Sequence, residues 1–584
     1  MTRTWPLLMV LAASLLAGCA SIPSTGADAA VHAIGERMLA EGRARDAALA
    51  FENAASAERG TRRSELYLRA AEAWRQDGDL TASDRALSAV DVRRLAPASR
   101  ARFDLLLADQ QLRRGQPDLA LDRLTGRAAA LPEAQRPLWH RSRAEALAKT
   151  GQAFDAAGEL SRLQPLLPRA EQAENRREIE HLLAGLDDAS LIQRSADLPA
   201  GDPLYRYAGS ALIKRGLELP RPFDRDAGQS GQVAAGGFRP ARQLAVLLPL
   251  TGALASAAES VRDGILSAHF AQDPPRPNVR FYDTASEPAR VAGRYLEAQR
   301  DGAERVIGPL GRDEVAALLA MPELPVPTLT LNRDSQALPP GHASFSLSPE
   351  EEADAIAERL IRRNLLRIVV IGDGTAVAQR SLDAFAARLT ERGGAIAASA
   401  VIDPTFSNHS TALNAVFDAT GGEHFDAILL AVQAREARLL APQLAAIGLK
   451  HRPLFATSQI VLGSGDTRLD RELDGIEFPD LAWPNRHVPG TPQADGAVSR
   501  LASARGVRAR LFAFGIDAYR LSGYLDQLSA NPGSTLNGAT GELRLDAFGN
   551  VLRQPAWSVF EGGRIRPVVD GGLTTESIRA DAAH

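Results

Sequence analysis

Gly538-Ala539-Thr540-Gly541-Glu542-Leu543-Arg544-Leu545-Asp546 runs into Gly549-Asn550 and then into Trp557-Ser558-Val559-Phe560, and this passage is the key to the architecture. Leu543 and Leu545 alternate with Glu542, Arg544 and Asp546, the pattern of a half-buried strand. The glycines on either side turn hairpins. A further pair, Gly562-Gly563, leads into Ile565-Arg566-Pro567-Val568. Just ahead, a helix is predicted over 510–528, containing Phe514-Gly515-Ile516-Asp517-Ala518-Tyr519.

Upstream, short apolar runs alternate with helical patterns. Strands are predicted at 243–250 (QLAVLLPL), 279–282, 305–307 and 326–331, with helices at 255–270, 288–299 and 312–319 between them. After Ser346 and a helix over 349–363 the alternation restarts. Strands follow at 367–371, 396–401, 427–431 and 454–456, and helices at 377–392, 411–419 and 435–447. Such alternation builds a parallel sheet covered on both faces. Two such halves, joined by crossovers, imply two lobes around a cleft. This α/β domain is assigned 242–584.

Residues 220–241 hold Pro220, Pro222, Gly228, Gly231, Gly236 and Gly237 and little that could enter a core, so they read as a linker. Before them, 28–219 is rich in Ala, Leu, Arg and Glu, which are good helix formers. Gly42, Gly78, Gly115 and Gly151 are spaced by 36, 37 and 36 residues. Small residues stand seven before each (Gly35, Ala71, Ala108, Ala144) and five after (Ala47, Ser83, Ala120, Ala156). Large apolar ones follow at Phe51, Leu87, Leu124 and Leu160. The repeat predicts helix, turn, helix, with small residues where the helices approach and a large one filling the next groove. It resembles the tetratricopeptide repeat (TPR), with a longer period. Arrays of this kind expose concave faces that bind proteins.

The start of the chain has another grammar. Met1-Thr2-Arg3-Thr4 precede an apolar run from Trp5 to Leu16, which ends in Leu16-Ala17-Gly18-Cys19. A run of about twelve residues is too short to span a ~30 Å hydrocarbon core. A positive head, an apolar middle and small residues at the end make a secretory signal. Cys19 is the only cysteine in 584 residues, and its position resembles the lipobox of bacterial lipoproteins. That resemblance implies cleavage between Gly18 and Cys19, a diacylglyceryl thioether on Cys19 and an acylated new amine. Residues 1–18 are then a signal peptide and 19–27 a lipidated tether. Ala20 stands where an Asp favours inner-membrane retention in enteric bacteria, which implies an outer-membrane anchor facing the periplasm. Charge is balanced, 67 basic against 71 acidic residues, so nothing marks a nucleic-acid partner.

The tail at 538–568 resembles that of type I periplasmic binding proteins, where Gly-x-Thr-Gly precedes a hairpin and the last strand follows a Gly-rich turn. A closer resemblance covers nearly the whole chain and is to the LppC family. It is carried by Leu247-Leu248-Pro249-Leu250-Thr251-Gly252, Arg262-Asp263-Gly264, Val306-Ile307-Gly308-Pro309-Leu310, Leu331-Asn332, Ser346-Leu347-Ser348-Pro349-Glu350 and the Gly541 hairpin. It implies a multidomain α and α/β protein: a TPR-like helical array, then a two-lobed type I periplasmic-binding-protein-like domain. It also implies a non-catalytic outer-membrane lipoprotein that activates a class A, bifunctional penicillin-binding protein through 242–584. The array would be a spacer across the periplasm and a second face for other periplasmic proteins.

No catalytic constellation is expected. The ten histidines are scattered, without metal-ligand spacing, and no Gly-x-Ser-x-Gly elbow occurs. Neither a metal nor a cofactor is expected. Gly372-Asp373-Gly374-Thr375 lacks the third glycine and the lysine of a phosphate loop, so Thr375 reads as a helix cap. Type I binding proteins grip amino-acid head groups with small hydroxyl residues on the loops after their third and fourth strands. Here those loops are Gly308–Arg312 and Thr330–Arg333, without those hydroxyls at the expected places. Arg312, Asn332 and Arg333 are the candidates for binding an anion in the cleft, arginine being suited to bidentate contacts. The competing reading is therefore a solute-binding sensor that closes on a small ligand. A cell-wall enzyme is the third and lacks any motif.

Overall fold

A computed structural model of the chain describes residues 26–568 apart from 127, 224–240, 335, 337, 420–424, 450, 463, 484 and 531–533. Gly18, Cys19 and most of the expected linker lie outside the described residues. Two compact units divide the chain, 1–150 and 151–584.

The first unit is helical: α1 (Gly26–Ala40), α2 (Ala44–Ala57), α3 (Gly60–Asp77), α4 (Leu80–Ser88), α5 (Pro97–Arg113), α6 (Pro117–Arg123) and α7 (Arg136–Lys149). The repeat glycines Gly42, Gly78 and Gly115 sit between paired helices with φ of 75°, 89° and 70°, a left-handed turn that glycine takes without strain. The small residues mark the close approaches. A Cβ on Gly35 would lie 2.3 Å from the Phe51 ring, and Ala47, Ala71, Ala108 and Ala120 are buried. Phe51, Leu87 and Leu124 fill the core, as the repeat predicts. Ion pairs at roughly repeat spacing join successive hairpins. Arg75 grips Asp109 through two bonds of 3.1 and 2.9 Å, Arg45 meets Asp77 at 3.0 Å and Arg113 meets Asp84 at 2.6 Å. Burial alone would raise the Glu72 carboxyl, but the hydrogen bond and charge of Arg102, with the charge of Arg69, hold it below its usual range.

The second unit begins with α8 (Ala153–Leu163), α9 (Arg169–Ala184), α10 (Asp188–Ala196) and α11 (Leu204–Lys214). One lobe follows: β1 (Gln243–Leu248), α12 (Ala255–Ala271), β2 (Asn278–Asp283), α13 (Pro288–Arg300), β3 (Arg305–Ile307), α14 (Arg312–Leu319), β4 (Thr328–Thr330) and β5 (Ala343–Ser344). The other holds α15 (Pro349–Arg362), β6 (Arg367–Gly372), α16 (Ala376–Glu391), β7 (Ala395–Val401), α17 (Ser410–Ala419), β8 (Ala427–Ala431), α18 (Ala434–Ala446), β9 (Leu454–Ala456) and β10 (Glu477–Asp480). After α19 (Ala494–Arg500) the chain returns to the first lobe with α20 (Ala509–Ala530), β11 (Leu536–Asn537), β12 (Glu542–Leu545) and β13 (Val551–Gln554). It ends in the second lobe with β14 (Ala556–Glu561) and β15 (Arg564–Pro567).

The lobes share one topology. The first sheet runs β2-β1-β3-β4-β5, all parallel. The second runs β7-β6-β8-β9-β10 in the same sense and then adds β14 and β15 antiparallel. The two-lobed fold expected of 242–584 is thus present, with the apolar runs 243–248, 367–372 and 427–431 as interior strands of their sheets. Helices α12 and α20 cross at two glycines. A Cβ on Gly264 would lie 2.0 Å from Phe512 O, and one on Gly515 2.1 Å from Val261 O. The family-like Arg262-Asp263-Gly264 is therefore a helix-crossing element.

Helices α8–α11 group with the α/β part, whereas the sequence suggested that the helical domain would run to 219. The reason is a set of bonds that composition does not display. Buried Arg215, on the residue after α11, donates to Leu183 O and Leu186 O at 2.8 Å and to Asp188 at 2.8 Å. Arg392, just past α16, donates to the same Leu186 O and Asp188, at 2.8 and 2.7 Å. Gln554 reaches Ile213 O and Lys214 O, and Arg544 reaches Leu217 O. Phe548 packs on Tyr207 at 4.8 Å, beneath the guanidiniums of Arg176 and Arg206. These helices thereby strap lobe two to the β12–β13 hairpin of lobe one.

Candidate functional site

The interlobe crossings and the loops beside them carry the polar groups that a binding protein would aim at a ligand. The loop after β3 ends at Gly311, whose N–H donates to Glu314 Oε2 at 2.9 Å and so starts α14. Arg312, the first residue of that helix, is exposed. Asn332, after β4, donates through Nδ2 to Leu310 O at 3.2 Å and so ties the two loops together. Its Oδ1 accepts the Arg333 N–H at 3.0 Å. The Arg333 guanidinium donates to Val551 O at 2.8 Å and pairs with Glu351 at 2.8 Å. Asn332 and Arg333 are thus neighbours with shared bonds, engaged by the protein, while Arg312 is exposed at the start of α14.

The first crossing explains Ser346-Leu347-Ser348-Pro349-Glu350. Ser348 Oγ accepts the Glu351 N–H at 3.1 Å and Pro349 occupies the first helical position, a strong start for α15. Three glutamates then fill the first turn, where the helix dipole favours them. Each points to a different partner. Glu350 takes two bonds from Arg380 of α16, at 2.7 and 2.9 Å. Glu351 pairs with Arg333 and bonds Ser346. Glu352 accepts from Arg510 of α20 and from the Ser458 N–H, both at 2.8 Å. Burial pushes the Glu352 carboxyl up, but the charges of Arg510 and Arg553 and the Ser458 bonds outweigh it and hold it low. The pairs of Glu351 and Glu352 join lobe to lobe.

Two more buried carboxylates hold the C-terminal part of the chain in place. Asp480, at the end of β10, accepts from Ser558 at 2.8 Å, Asn485 at 2.9 Å and the Leu481 N–H at 2.7 Å. Asp517 in α20 accepts from the Ala539 and Thr540 N–H groups and from Thr540 Oγ1. Burial raises both carboxyls despite those bonds.

A cavity of about 1510 Å³ lies between the strap helices α9 and α11, the hairpin tip and the sides of both lobes. Its walls alternate charge, as at Lys214–Glu180, 3.0 Å apart. Asp354 faces it, its carboxyl raised to about 6 by surrounding protein against the opposing charges of Arg388 and Lys214. Thr375 Oγ1 accepts the Ala378 N–H at 3.3 Å and caps α16, the role expected for it. Among the described residues, no group of three or more His, Cys, Asp or Glu is placed to hold a metal, and no helix is long and apolar enough to cross a membrane. Sequence reading missed the bonding of Arg333, Glu351 and Glu352; the capping signature at Ser348 was the available signal.

Comparison with known proteins points in one direction. The family model described as "LppC putative lipoprotein" matches residues 238–563. A protein of Photobacterium profundum, described as penicillin-binding protein activator LpoA, is 27% identical over 545 residues, covering 85% of this chain and 87% of its own. A Pectobacterium parmentieri protein with the same description is 26% identical over 339 residues, 50% of this chain and 48% of that one. Among solved structures, LpoA of Haemophilus influenzae superposes with a TM-score of 0.53 at 19% identity, over 89% of this chain and 97% of that chain.

Proposed function

The chain belongs to the LppC lipoprotein family, and from that premise we propose that it is a non-catalytic activator of peptidoglycan synthesis. It is anchored through lipid on Cys19 in the outer membrane, faces the periplasm, and binds a class A penicillin-binding protein through its α/β part, 242–584. The observation that carries this reading is the match to the Photobacterium activator, which runs through 85% of the chain and so includes helical as well as α/β residues. The local chemistry agrees with it. The loops that would grip a solute are tied to each other by Asn332, and to β13 and α15 by Arg333.

Activation is a population shift: the protein binds the active conformer of the synthase more tightly than the inactive one. A ten-fold bias requires about 1.4 kcal/mol of differential binding. The helical array gives reach between membranes, and the acyl chains, at roughly 0.8 kcal/mol per buried CH₂, make the anchor essentially permanent. The decisive experiment is glycan polymerisation by the organism's own class A synthase, with and without the unlipidated mature protein. A rise in rate is expected. No binding at micromolar concentration, or tight binding of a small metabolite with no effect on any synthase, overturns the reading and favours the solute sensor.

A further inference from the structure

Strands β2 and β7 hold the same place in the two lobes, each at the edge of its sheet and, among the described residues, paired only with the strand beside it. An edge strand offers unpaired N–H and C=O groups to any passing strand, and proteins blunt such edges with charge and proline. Edge β2 is blunted. Pro274, Pro275 and Pro277 precede it, and Arg280 projects from it to pair with Asp301 at 2.8 Å. Edge β7 is bare. From Gly393 to Ile402 the sequence is GGAIAASAVI, with no charge and no proline between Arg392 and Asp403.

The far end of β7 is apolar and open. Val401 is 63% exposed, Phe406 in the following loop 61%, and Val377 at the start of α16 44%. Val401 and the start of α16 are adjacent, since a Cβ on Gly374 would lie 3.2 Å from Val401 Cγ1. Within one molecule, then, one edge is protected and its counterpart is not.

We propose that β7 is a docking edge for an extended, uncharged segment of the synthase, which adds to the sheet as an eighth strand in lobe two and covers Val401 and Phe406. This rests on the activator reading above and names the surface for it. The edge selects its occupant by chemistry. Its outer backbone groups are satisfied by another backbone in extended form. A charged strand laid there would lose water without gaining a counter-ion, which disfavours it.

The test uses full-length mature protein and detergent-solubilised class A synthase. The double variant Ser399→Lys/Val401→Lys charges two exposed positions of the edge, and Leu296→Lys on α13 of the other lobe is the control. The edge variant should bind about ten-fold or more weakly, with the control unchanged. Hydrogen exchange at the amides of 395–401 should slow in the wild-type complex. If the edge variant melts early, Phe406→Asp in the adjacent loop replaces it. Wild-type binding by the edge variant, with no exchange protection, overturns the docking edge and leaves the activator reading standing. No binding by the wild-type protein overturns both. Loss of self-association with synthase binding intact assigns the edge to a second copy instead and overturns the proposal.

Discussion

Thr540 closes over the carboxylate of Asp517: its N–H and its Oγ1 each lie 2.7 Å from Oδ2, while the Ala539 N–H reaches Oδ1 at 2.6 Å. The two residues come from the two passages that stand out in the tail, the α20 helix and the Gly-x-Thr-Gly turn. Asp517 is fully buried, and the glycine before Ala539 is required by the same contact. A Cβ on Gly538 would lie 2.6 Å from Asp517 Oδ2. Thr540→Val keeps the shape and removes one donor from a buried acceptor. It should destabilise the second unit by about 1–3 kcal/mol, measured by denaturant unfolding of a 151–584 fragment.

Gly541, the next residue, has φ of 142°, and a Cβ there would lie 2.2 Å from Gln554 O. A β-branched side chain has neither the conformation nor the room. Gly541→Val should lower the melting temperature of the 151–584 fragment, while the same measurement on 26–150 serves as the unaffected reference. An unchanged melt for the mutant fragment would remove the role assigned to the hairpin.

These tail elements were legible because each follows from a local rule. The same holds for the repeat glycines and for 243–248, where a short unbroken apolar run set between helical patterns marks a buried strand. Two strands escaped: β5 has only two residues, and β10, Glu477-Phe478-Pro479-Asp480, lacks the apolar run that marked β3 and β9. Long-range ionic contacts escaped for another reason. Arg215 and Arg392 look in sequence like surface arginines at helix ends, one in the helical array and one in the α/β domain, and only the fold reveals that both converge on Asp188. Arg333 is the same case. Its residue type suggested a ligand for the cleft, and the structure shows what it holds now, Val551 O and Glu351.

Asp188 therefore offers a sharp test of the strap. Asp188→Ala leaves buried Arg215 and the largely covered side chain of Arg392 without their shared carboxylate. Asp188 is about one-third exposed, and Arg392 also meets Glu358 at 3.3 Å, so the loss is that of a charged hydrogen-bond acceptor, about 1–3 kcal/mol. The variant should unfold at lower denaturant, and its α8–α11 segment should become the first site of limited proteolysis in 151–584. Unaltered stability would mean that water or the backbone carbonyls suffice for both guanidiniums.

The cavity carboxylate predicts a pH dependence of known sign. Asp354 is raised to about 6. A group raised on folding favours the folded state when protonated, so its contribution is fully present below about pH 4 and is lost as pH rises through about 6. Asp354→Asn should thus be the more stable form at pH 7, by no more than about 1 kcal/mol because the cavity is open to water. Thermal melts at pH 4 and pH 7 read the difference, which should vanish at the lower pH.

Cys19→Ser tests the anchor. A hydroxyl cannot form the thioether, so the variant should leave the detergent phase in partitioning, and intact mass should show no acyl addition. If the variant still enters the detergent phase and the wild type carries no lipid mass, the lipoprotein reading of Leu16-Ala17-Gly18-Cys19 is wrong.

The last prediction joins the strap to the proposed activity. If synthase docking belongs to 242–584, then fragments 242–584 and 151–584 should both bind the synthase and raise its glycan polymerisation in solution, where no tether is needed. They should differ in stability. The longer fragment keeps the bonds of Arg392 to Leu186 O and Asp188, of Gln554 to α11 and of Phe548 to Tyr207. The shorter one exposes Phe548 and leaves Arg392 with one side unpaired, so it should melt lower and show looser coupling between lobes by hydrogen exchange at 544–554. Activation by 151–584 alone would place the strap helices within the functional unit. Activation by neither fragment, with activation by the whole mature chain, would move the docking surface to 26–150 and set aside the assignment to the α/β part.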